Sequence, residues 1–360
     1  MNVMVKPVSE EQSIQRRVDL ASDTLQSRWD AFVKASAEGS FFHLYAWSNV
    51  IRRTYGHKPL YLYSEDSDGQ LTGILPLVLV KSPFFGRSLI STAFTVGGGL
   101  IASDNASRQA LVTRAQEIAA QEKVEYVELR GGEKPAGWES KSEVYAGFVS
   151  DIPADADENL KRIPRKKRAD LRKAIKKVES GEMELEVTKQ TGEFYQLYAE
   201  SVRNLGTPVW PEKLVRNILK AFPEDTEVLV VKASGQPVAA LVSFYHGDTV
   251  LPYYAGAGIA ARKLHAYDYL YWEQMRRAHD QGYSRFDFGR SKVGTGAFAY
   301  KTHWGFEPEP LTYHYYLENA DTVPDINPNN PKFRLITRAW QKLPLPLANR
   351  LGPVLAGNLA

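Results

Sequence analysis

The sequence contains no cysteine in its 360 residues. This absence excludes disulfide bonds, thiolate metal sites and a cysteine nucleophile, so any group transfer has to proceed without a thioester relay through the protein. Long hydrophobic runs are missing too. No segment approaches the roughly 18 apolar residues of a membrane-spanning helix, and the first residues, MNVMVKPVSEEQ, do not resemble a signal peptide. We therefore expect a soluble, cytoplasmic protein.

Clusters of His, Asp and Glu with metal-ligand spacing are absent as well, which predicts a protein without a metal ion. The net charge is only +3, too small to indicate nucleic-acid binding unless basic residues are concentrated locally. With 43% hydrophobic residues, the chain has enough apolar side chains and enough length to build two domains of ordinary size.

An internal repeat is the main organisational feature of the sequence. KPLYLYSEDSDGQLTGILPLVLV in the first half and TEVLVVKASGQPVAALVSFYH in the second are typical of β-hairpins, with turns at Gly69 and Gly235. In each half an amphipathic helix follows, and then a short strand that ends in glycine, YVELRGG or RFDFGRS. The apolar positions of the two helices are Leu111, Ala115 and Ile118, and Tyr267, Tyr271, Met275 and Ala278. This order predicts a duplicated α/β module; independent segments with the same order are the alternative.

The strongest concentration of charge lies between the two copies, in LKRIPRKKRADLRKAIKKVESGE. A narrow apolar stripe predicts a helix that starts near Pro164 and ends before Gly181. Its other faces carry Arg165, Arg168 and Arg172, and clustered arginines offer forked donors that suit phosphate oxygens. We interpret the helix as a phosphate-binding element, while a solvated basic surface stays open as the simpler explanation.

The second copy carries most of the residues suited to chemistry. A strand through residues 250–255 is expected to place Tyr253 and Tyr254 on opposite faces; Tyr254 is our candidate for the cleft and for an oxyanion donor. Lys301 is a further catalytic candidate; it lies in YKTHWGF, which predicts a short helical turn with its amine pointing outward, and a solvent-facing lysine without a role is the alternative. Asp268 and Asp287 are candidate proton acceptors, or else structural carboxylates that cap local turns.

A further group of residues is expected to bind the substrate. Its members are Arg290, Lys292 and His303 around the glycine-rich turn DFGRSKVGTG, Arg203 and Trp210 in SVRNLGTPVWPEKL, and Tyr267 at the start of the second amphipathic helix. Because the residues around the turn are basic, we expect the turn to hold an anionic group.

Taken in order, these motifs resemble a known family. SVRNLGTPVWPEKL, LPYYAGAG, GYSRFDFGRSKVGTG, KTHWGFEPEPL and INPNNPKFRL resemble the FemAB-related proteins associated with the exosortase/PEP-CTERM export system, as do FFHLYAWSNVIRRTYGHKPLYL and IPRKKRADLRKAIK in the first half. The resemblance covers nearly the whole chain. It implies an α/β (α+β) fold of two tandem GNAT-like domains that transfer an amino acid or another acyl group to an amine.

The resemblance also implies roles and partners. Lys301 matches the lysine of the family's Phe-Lys motif, which is similar to a phosphate-binding position, although Tyr300 stands where the family has phenylalanine. The basic segment resembles the family's arginine-bearing helix. The implied donor is aminoacyl-tRNA, and the implied acceptor is a lipid- or nucleotide-diphosphate-linked peptidoglycan precursor or an exopolysaccharide-related amine. No bound cofactor is expected.

Acyl-CoA is the alternative donor. Acetyltransferases of this fold bind the CoA pyrophosphate with an Arg/Gln-x-x-Gly-x-Gly/Ala turn, whereas the corresponding segments here read ARKLHAYD and IASDNASR. This departure disfavours CoA. A non-catalytic polymer- or RNA-binding module is a second alternative, because the basic helix by itself permits it.

The sequence predicts four segments. These are a first GNAT-like domain (1–155), a basic helical connector (156–182), a second GNAT-like domain with the active cleft (183–320) and a C-terminal helical tail (321–360). In the tail, NPKFRLITRAWQKL has a basic amphipathic pattern with Phe333, Ile336 and Trp340 on its apolar side. Two interpretations stay open: docking of this stripe against the second domain, and peripheral contact with the inner face of the membrane.

Overall fold

The fold repeats one set of elements twice. In the computed structural model, which describes residues 16–83, 85–153, 155–324 and 337–358, two mixed β-sheets enclose a layer of helices. The elements before the basic helix are β1 (Arg17–Leu20), α1 (Gln26–Ala35), α2 (Ala46–Tyr55), β2 (Lys58–Glu65), β3 (Leu71–Ser82), β4 (Gly86–Ser91), β5 (Ile101–Ala102), α3 (Asn105–Glu122), β6 (Tyr126–Arg130), β7 (Glu139–Gly147), β8 (Val149–Asp151) and α4 (Ala156–Arg162), with 3₁₀ turns at Asp23–Leu25 and Phe41–His43.

The basic helix and the second copy follow. Their elements are α5 (Arg165–Glu179), β9 (Met183–Thr188), α6 (Gly192–Leu205), α7 (Glu212–Ala221), β10 (Thr226–Ala233), β11 (Gln236–His246), β12 (Thr249–Ala257), α8 (Ile259–Leu264), α9 (Ala266–Asp280), β13 (Arg285–Asp287), β14 (Ser291–Lys292), α10 (Gly296–His303), β15 (Glu309–Leu317) and α11 (Leu345–Ala356). Residues 337–341 are also helical.

Both halves run through the same order of elements, which confirms the order predicted from the repeat. A first strand is followed by two helices, then by an antiparallel meander, a helix and a parallel strand. In the first half β4 pairs in parallel with β6, and in the second half β12 pairs in parallel with β13. The hairpins turn at Gly69 and Gly235, whose φ angles of 74° and 70° explain the glycine at each position.

The two sheets exchange strands. The first sheet has the order β1-β2-β3-β4-β6-β15-β7-β14, and the second has the order β8-β13-β12-β11-β10-β9. The late strands β14 and β15 therefore belong to the first sheet, while the early strand β8 belongs to the second. Sheet membership departs at these strands from the predicted segments 1–155 and 183–320, because a strand pairs with the open strand edges that lie beside it in space, whatever their order in the sequence.

The inner faces of both sheets share one core with the helices α1, α2, α6 and α7. Phe41 lies at its centre, with ring centroids 4.6 Å from Phe222 and 4.7 Å from Phe244, so side chains of both halves pack together. The outer face of the first sheet is covered by α3, and the outer face of the second by α5, α8, α9 and α10. Burial of this shared core makes the two halves one packed unit.

The basic segment forms the predicted helix. Helix α5 begins after Pro164 and ends before Ser180, and it buries Leu171 and Ala174 against the second sheet's outer layer. In the tail, Trp340 is only 7% exposed, which favours docking for that residue. Phe333 and Ile336 lie outside the described residues.

Helix α6 crosses β12 at Gly256, where no side chain fits. A Cβ atom at this position would lie 2.4 Å from the Cα atom of Tyr198. Gly256→Ala is expected to lower the free energy of unfolding by about 1–3 kcal/mol, because the helix backbone has to move. Urea unfolding would measure this. Gly192→Ala is the control, since a Cβ there meets no atom within 4 Å; equal stability of the two variants would contradict the close packing.

Candidate active site

The strands β12 and β13 separate at their carboxyl ends. Their parallel pairing is confined to Thr249 with Arg285 and Val250 with Phe286, after which β12 continues while the chain leaves β13 for the first sheet. At the corresponding place in the first half, Arg130 on β6 donates a hydrogen bond of 2.7 Å to the carbonyl of Thr95. The gap between β4 and β6 in the first half is thus filled by the loop after β4. The gap between β12 and β13 in the second half, called the opening below, is therefore the candidate site.

A β-bulge at Tyr253 alters the expected side-chain alternation on β12. The register with β11 shifts there, and the rings of Tyr253 and Tyr254 both lie against Phe244, at 5.2 and 6.1 Å. Tyr254 is 6% exposed and part of the core, whereas Tyr253 is partly exposed. Burial raises the pKa of Tyr253, and Arg290 and Arg130 oppose this rise from nearby. The placement of the two tyrosines is therefore the reverse of our expectation.

A cavity of about 610 Å³ lies on the first sheet beside the strands contributed by the second half. Its lining includes the tyrosines Tyr126, Tyr145, Tyr313 and Tyr315, the cations Arg130, Lys141, Arg290 and Lys292, and the carboxylates Glu128 and Glu143. The cations outnumber the carboxylates, so the cavity favours an anionic ligand that also has a surface for aromatic contact.

Two guanidinium groups, one from each half, define the chemistry of this cavity. Arg130 is 3% exposed and forms an ion pair of 2.7 Å with Glu128. Arg290 stacks on Tyr145, with its Cζ atom 4.5 Å from the ring centroid, and donates a hydrogen bond of 2.6 Å to the hydroxyl of Tyr313. In the described part of the chain Arg290 has no carboxylate partner. Its charge is available to a ligand.

Lys301 fixes the backbone that carries Arg290. Its Nζ atom donates hydrogen bonds of 2.9 Å to the carbonyls of Gly289 and Arg290 and lies 5.2 Å from the ring of Phe148. Lys301 is 9% exposed. Its amine therefore points inward, not outward as predicted, because it bonds to the two carbonyls between the rings of Phe148 and Phe288.

The environment of Lys301 favours its neutral form. Burial lowers its pKa to about 7; Asp287 opposes this shift and Arg290 adds to it. A neutral amine has two N–H donors and one lone pair, so the two carbonyls satisfy both donors and leave the lone pair unused. Such a group is suited to accept a proton near neutral pH.

The two candidate carboxylates have local structural contacts. Asp287 accepts a hydrogen bond of 2.8 Å from the Gly289 amide, and burial raises its pKa. Asp268 accepts hydrogen bonds from Lys167 at 2.6 Å and from the hydroxyl of Tyr300 at 2.7 Å, and so joins α5, α9 and α10. Both contacts agree with the structural alternative, and a role in proton transfer stays a prediction.

The remaining candidate residues are dispersed. Lys292 lines the cavity with Arg290, whereas Tyr267 packs on Tyr271 and Tyr300 on the other side of the turn. The others lie on separate surfaces: Arg165 and Arg172 exposed on α5, Arg168 bonded to the Lys161 carbonyl, Arg203 bonded to the Gln341 carbonyl, Trp210 packed on Phe94, and His303 exposed on α10. None of these six lines the cavity.

Sequence reasoning missed the contributions of the first half and of one lysine. Arg130 and Tyr145 belong to the first half, and Tyr313 joins them because β15 pairs with β6 and β7 in the first sheet. The pair Glu128 and Arg130 did carry a signal, since charges two residues apart on a strand share one face. Lys167 lay within the predicted basic run, but only its contact with Asp268 distinguishes it from its neighbours.

The described residues contain no group of three or more His, Cys, Asp or Glu side chains that could hold a metal ion. The expectation of a metal-free protein stays a prediction.

Comparison with known proteins identifies a domain type in part of the chain. Residues 165–302 match the family model described as acetyltransferase (GNAT) domain. The chain contains a GNAT-type acetyltransferase domain. The match runs from α5 to α10 and includes the opening and Lys301. It supports the expectation that the protein is an acyltransferase. No curated protein sequence matches the chain significantly.

Solved structures share the fold of this chain, and one of them is a tandem GNAT protein. FemX is 16% identical with a TM-score of 0.68, and the similarity covers 89% of this chain and 100% of that chain. L-PGS from Bacillus licheniformis is 15% identical with a TM-score of 0.53 (88% and 97% covered). A tandem GNAT protein from the clavulanic acid biosynthesis pathway is 12% identical with a TM-score of 0.53 (86% and 100% covered). The predicted fold is thus confirmed, and the resemblance to the exosortase-associated proteins stays a prediction.

The pKa of Lys301 generates a pH-dependent prediction. Its pKa of about 7 in the folded protein is below the ordinary value of 10.5, so the unfolded chain binds more protons between these pH values and Lys301 makes stability rise with pH. Between pH 7 and 9, the free energy of unfolding of the wild type should rise with pH by about 1 kcal/mol per pH unit more than that of Lys301→Met.

Urea unfolding at pH 7, 8 and 9 would measure this slope for the wild type and the variant. Lys263→Met is the matched control, because Lys263 is an exposed lysine on α8. If wild type and Lys301→Met gave parallel slopes, Lys301 would be charged in the folded protein.

Proposed function

We propose that the protein transfers an amino acid from aminoacyl-tRNA to an amine of a cell-envelope precursor. The observation that carries this proposal is the Arg290 guanidinium, which has no carboxylate partner in the described part and lies in a cavity beside the opening of the GNAT-type domain. A transferase for an anionic acceptor needs this combination: a cationic site for the acceptor next to the place where the acyl donor enters.

The acceptor that fits the cavity has an anionic group and a sugar or base ring. Arg290 is suited to a phosphate or carboxylate oxygen, since a guanidinium offers several donors in one plane. Tyr145 and Tyr313 supply flat surfaces and a hydroxyl beside it. A lipid- or nucleotide-diphosphate-linked precursor of the peptidoglycan type has this chemistry, and an exopolysaccharide-related amino sugar is the second possibility.

The donor is proposed from the fold and the basic surface. The chain matches FemX, a Fem-type aminoacyltransferase, over all of that chain. Arg165 and Arg172 are exposed on α5 and suit the phosphates of a tRNA-linked donor. An acyl-CoA donor is favoured instead by the name of the matching family model. In either case we propose a cytoplasmic protein whose tail contacts the inner face of the membrane.

The proposed reaction is a direct transfer. The neutral acceptor amine attacks the ester carbonyl of the donor, the carbon–oxygen bond of the ester breaks, and the tRNA hydroxyl leaves. The amine loses one proton, which balances the proton taken up by the leaving oxygen. Activated esters need accurate positioning more than a strong base. We therefore give Lys301 the role of holding the turn at Gly289 and Arg290, next to the partly exposed Tyr253.

Incubation of the purified protein with charged tRNA or with acyl-CoA, each with a diphosphate-linked amino-sugar acceptor, would test the donor. We expect acyl transfer with charged tRNA, followed by mass spectrometry of the acceptor. Transfer with acyl-CoA alone would establish the alternative donor, and binding without transfer from either would favour the non-catalytic module.

Arg290→Gln is expected to raise the KM for the anionic acceptor about 10- to 100-fold, because a hydrogen bond to a charged group contributes about 1.5–3 kcal/mol. Steady-state kinetics with varied acceptor would measure it. His303→Gln is the control, since His303 is exposed and does not line the cavity. An unchanged KM in Arg290→Gln would place the acceptor elsewhere.

Lys301→Ala is expected to lower kcat at least tenfold, because the carbonyls of Gly289 and Arg290 lose their donor and the turn relaxes. Acceptor binding, measured by calorimetry, should weaken much less than turnover falls. A variant that keeps full turnover would rule out this role for Lys301.

A further inference from the structure

The outer face of the C-terminal helix α11 is apolar and uncovered. Leu347, Leu351 and Val354 follow helical offsets of four and three and are 49%, 47% and 65% exposed. Leu205 is 68% exposed at the end of α6, the helix on which α11 packs. Large apolar side chains grouped in this way on a surface indicate a binding face.

The opposite face of α11 is fixed to the protein. Ala348, Gly352 and Ala356 are buried, and a Cβ atom at Gly352 would lie 2.9 Å from the backbone nitrogen of Val209. A ring nitrogen of His57 lies within hydrogen-bonding distance, 2.8 Å, of the Gly357 carbonyl. The apolar face is thus held outward by packing on the other side and needs no rearrangement to make contact.

The charged side chains in the last part of the chain have one sign. Residues 326–360 contain no Asp or Glu. Arg338, Lys342 and Arg350 are exposed in the part of this range that the structure describes, and Arg350 lies on α11 between the leucines. A helix with leucines on one face and only cationic charge beside it is complementary to an anionic lipid surface.

The size of the face distinguishes between two occupants. A stable contact with a second copy buries about 800 Å² per partner. The four partly exposed apolar side chains of this surface supply less area than that. A lipid surface needs only shallow insertion of a few apolar side chains, assisted by neighbouring cations. No helix in the described part of the chain is long and apolar enough to cross a bilayer.

We propose that the apolar face of α11, formed by Leu347, Leu351 and Val354, docks on the surface of an anionic membrane, with Arg338, Lys342 and Arg350 contacting the lipid phosphates. The sequence predicted membrane contact through the stripe of Phe333, Ile336 and Trp340, but Trp340 is buried in the protein. The proposed contact lies instead on α11, the helix that follows this stripe. The proposal is independent of the acyl-transfer reaction.

Flotation with vesicles of phosphatidylcholine alone, and of equimolar phosphatidylcholine and phosphatidylglycerol, would test the proposal with the full-length protein. We expect binding to the anionic vesicles that weakens as salt is added. Leu347→Gln/Leu351→Gln should weaken it roughly tenfold. Each single change of Arg338, Lys342 or Arg350 to Gln should weaken it about fivefold.

Leu20→Gln/Val187→Gln is the matched control, because these residues are 44% and 47% exposed on the distant edge strands β1 and β9. This control should float like the wild type. Circular dichroism and transfer to a soluble acceptor should be unchanged in all variants, so a failure of membrane binding is separable from a failure of the proposed activity.

Three results would overturn the proposal. The first is the absence of flotation by the wild type, and the second is an equal loss of flotation in the control pair. The third is a dimer in sedimentation that dissociates in Leu347→Gln/Leu351→Gln without any vesicle binding, which would assign the face to a second copy of the chain.

Discussion

The exchange of β8 and β15 between the two sheets is the constraint on which the rest of the structure depends. Each sheet is completed by a strand from the other half, and both inner faces share one core around Phe41. Neither half can leave the other without opening a sheet edge, which exposes unpaired backbone groups. The relative position of the two halves is therefore fixed by backbone pairing as well as by apolar burial.

This constraint creates the candidate site. After β13 the chain has to cross to the first sheet, and the crossing carries Arg290 toward the ring of Tyr145 and the hydroxyl of Tyr313. Lys301 holds the crossing through two backbone carbonyls. The site is thus composite: its opening belongs to the GNAT-type domain, and most of the cavity wall belongs to the first sheet.

The two halves have diverged around this common plan. In the first, the side chain of Arg130 bonds to the loop after β4 and fills the opening. In the second, the bulge at Tyr253 brings a partly exposed ring toward Arg290. The first half therefore closes its own opening and contributes to the wall of the cavity. The second half keeps its opening accessible.

The sequence by itself determined the secondary-structure elements and their duplication. Hairpin turns, helical periodicity and the end of a strand or helix at a glycine all depend on residues that are neighbours in the chain. It also singled out Lys301 and Arg290, whose local motifs are distinctive. Only the tertiary structure decided that Lys301 points inward, that Tyr254 is core while Tyr253 is not, and that Arg130 joins the site. Those outcomes depend on a bulge and on pairing between strands more than 150 residues apart, such as β6 with β15, and no local pattern specifies such contacts.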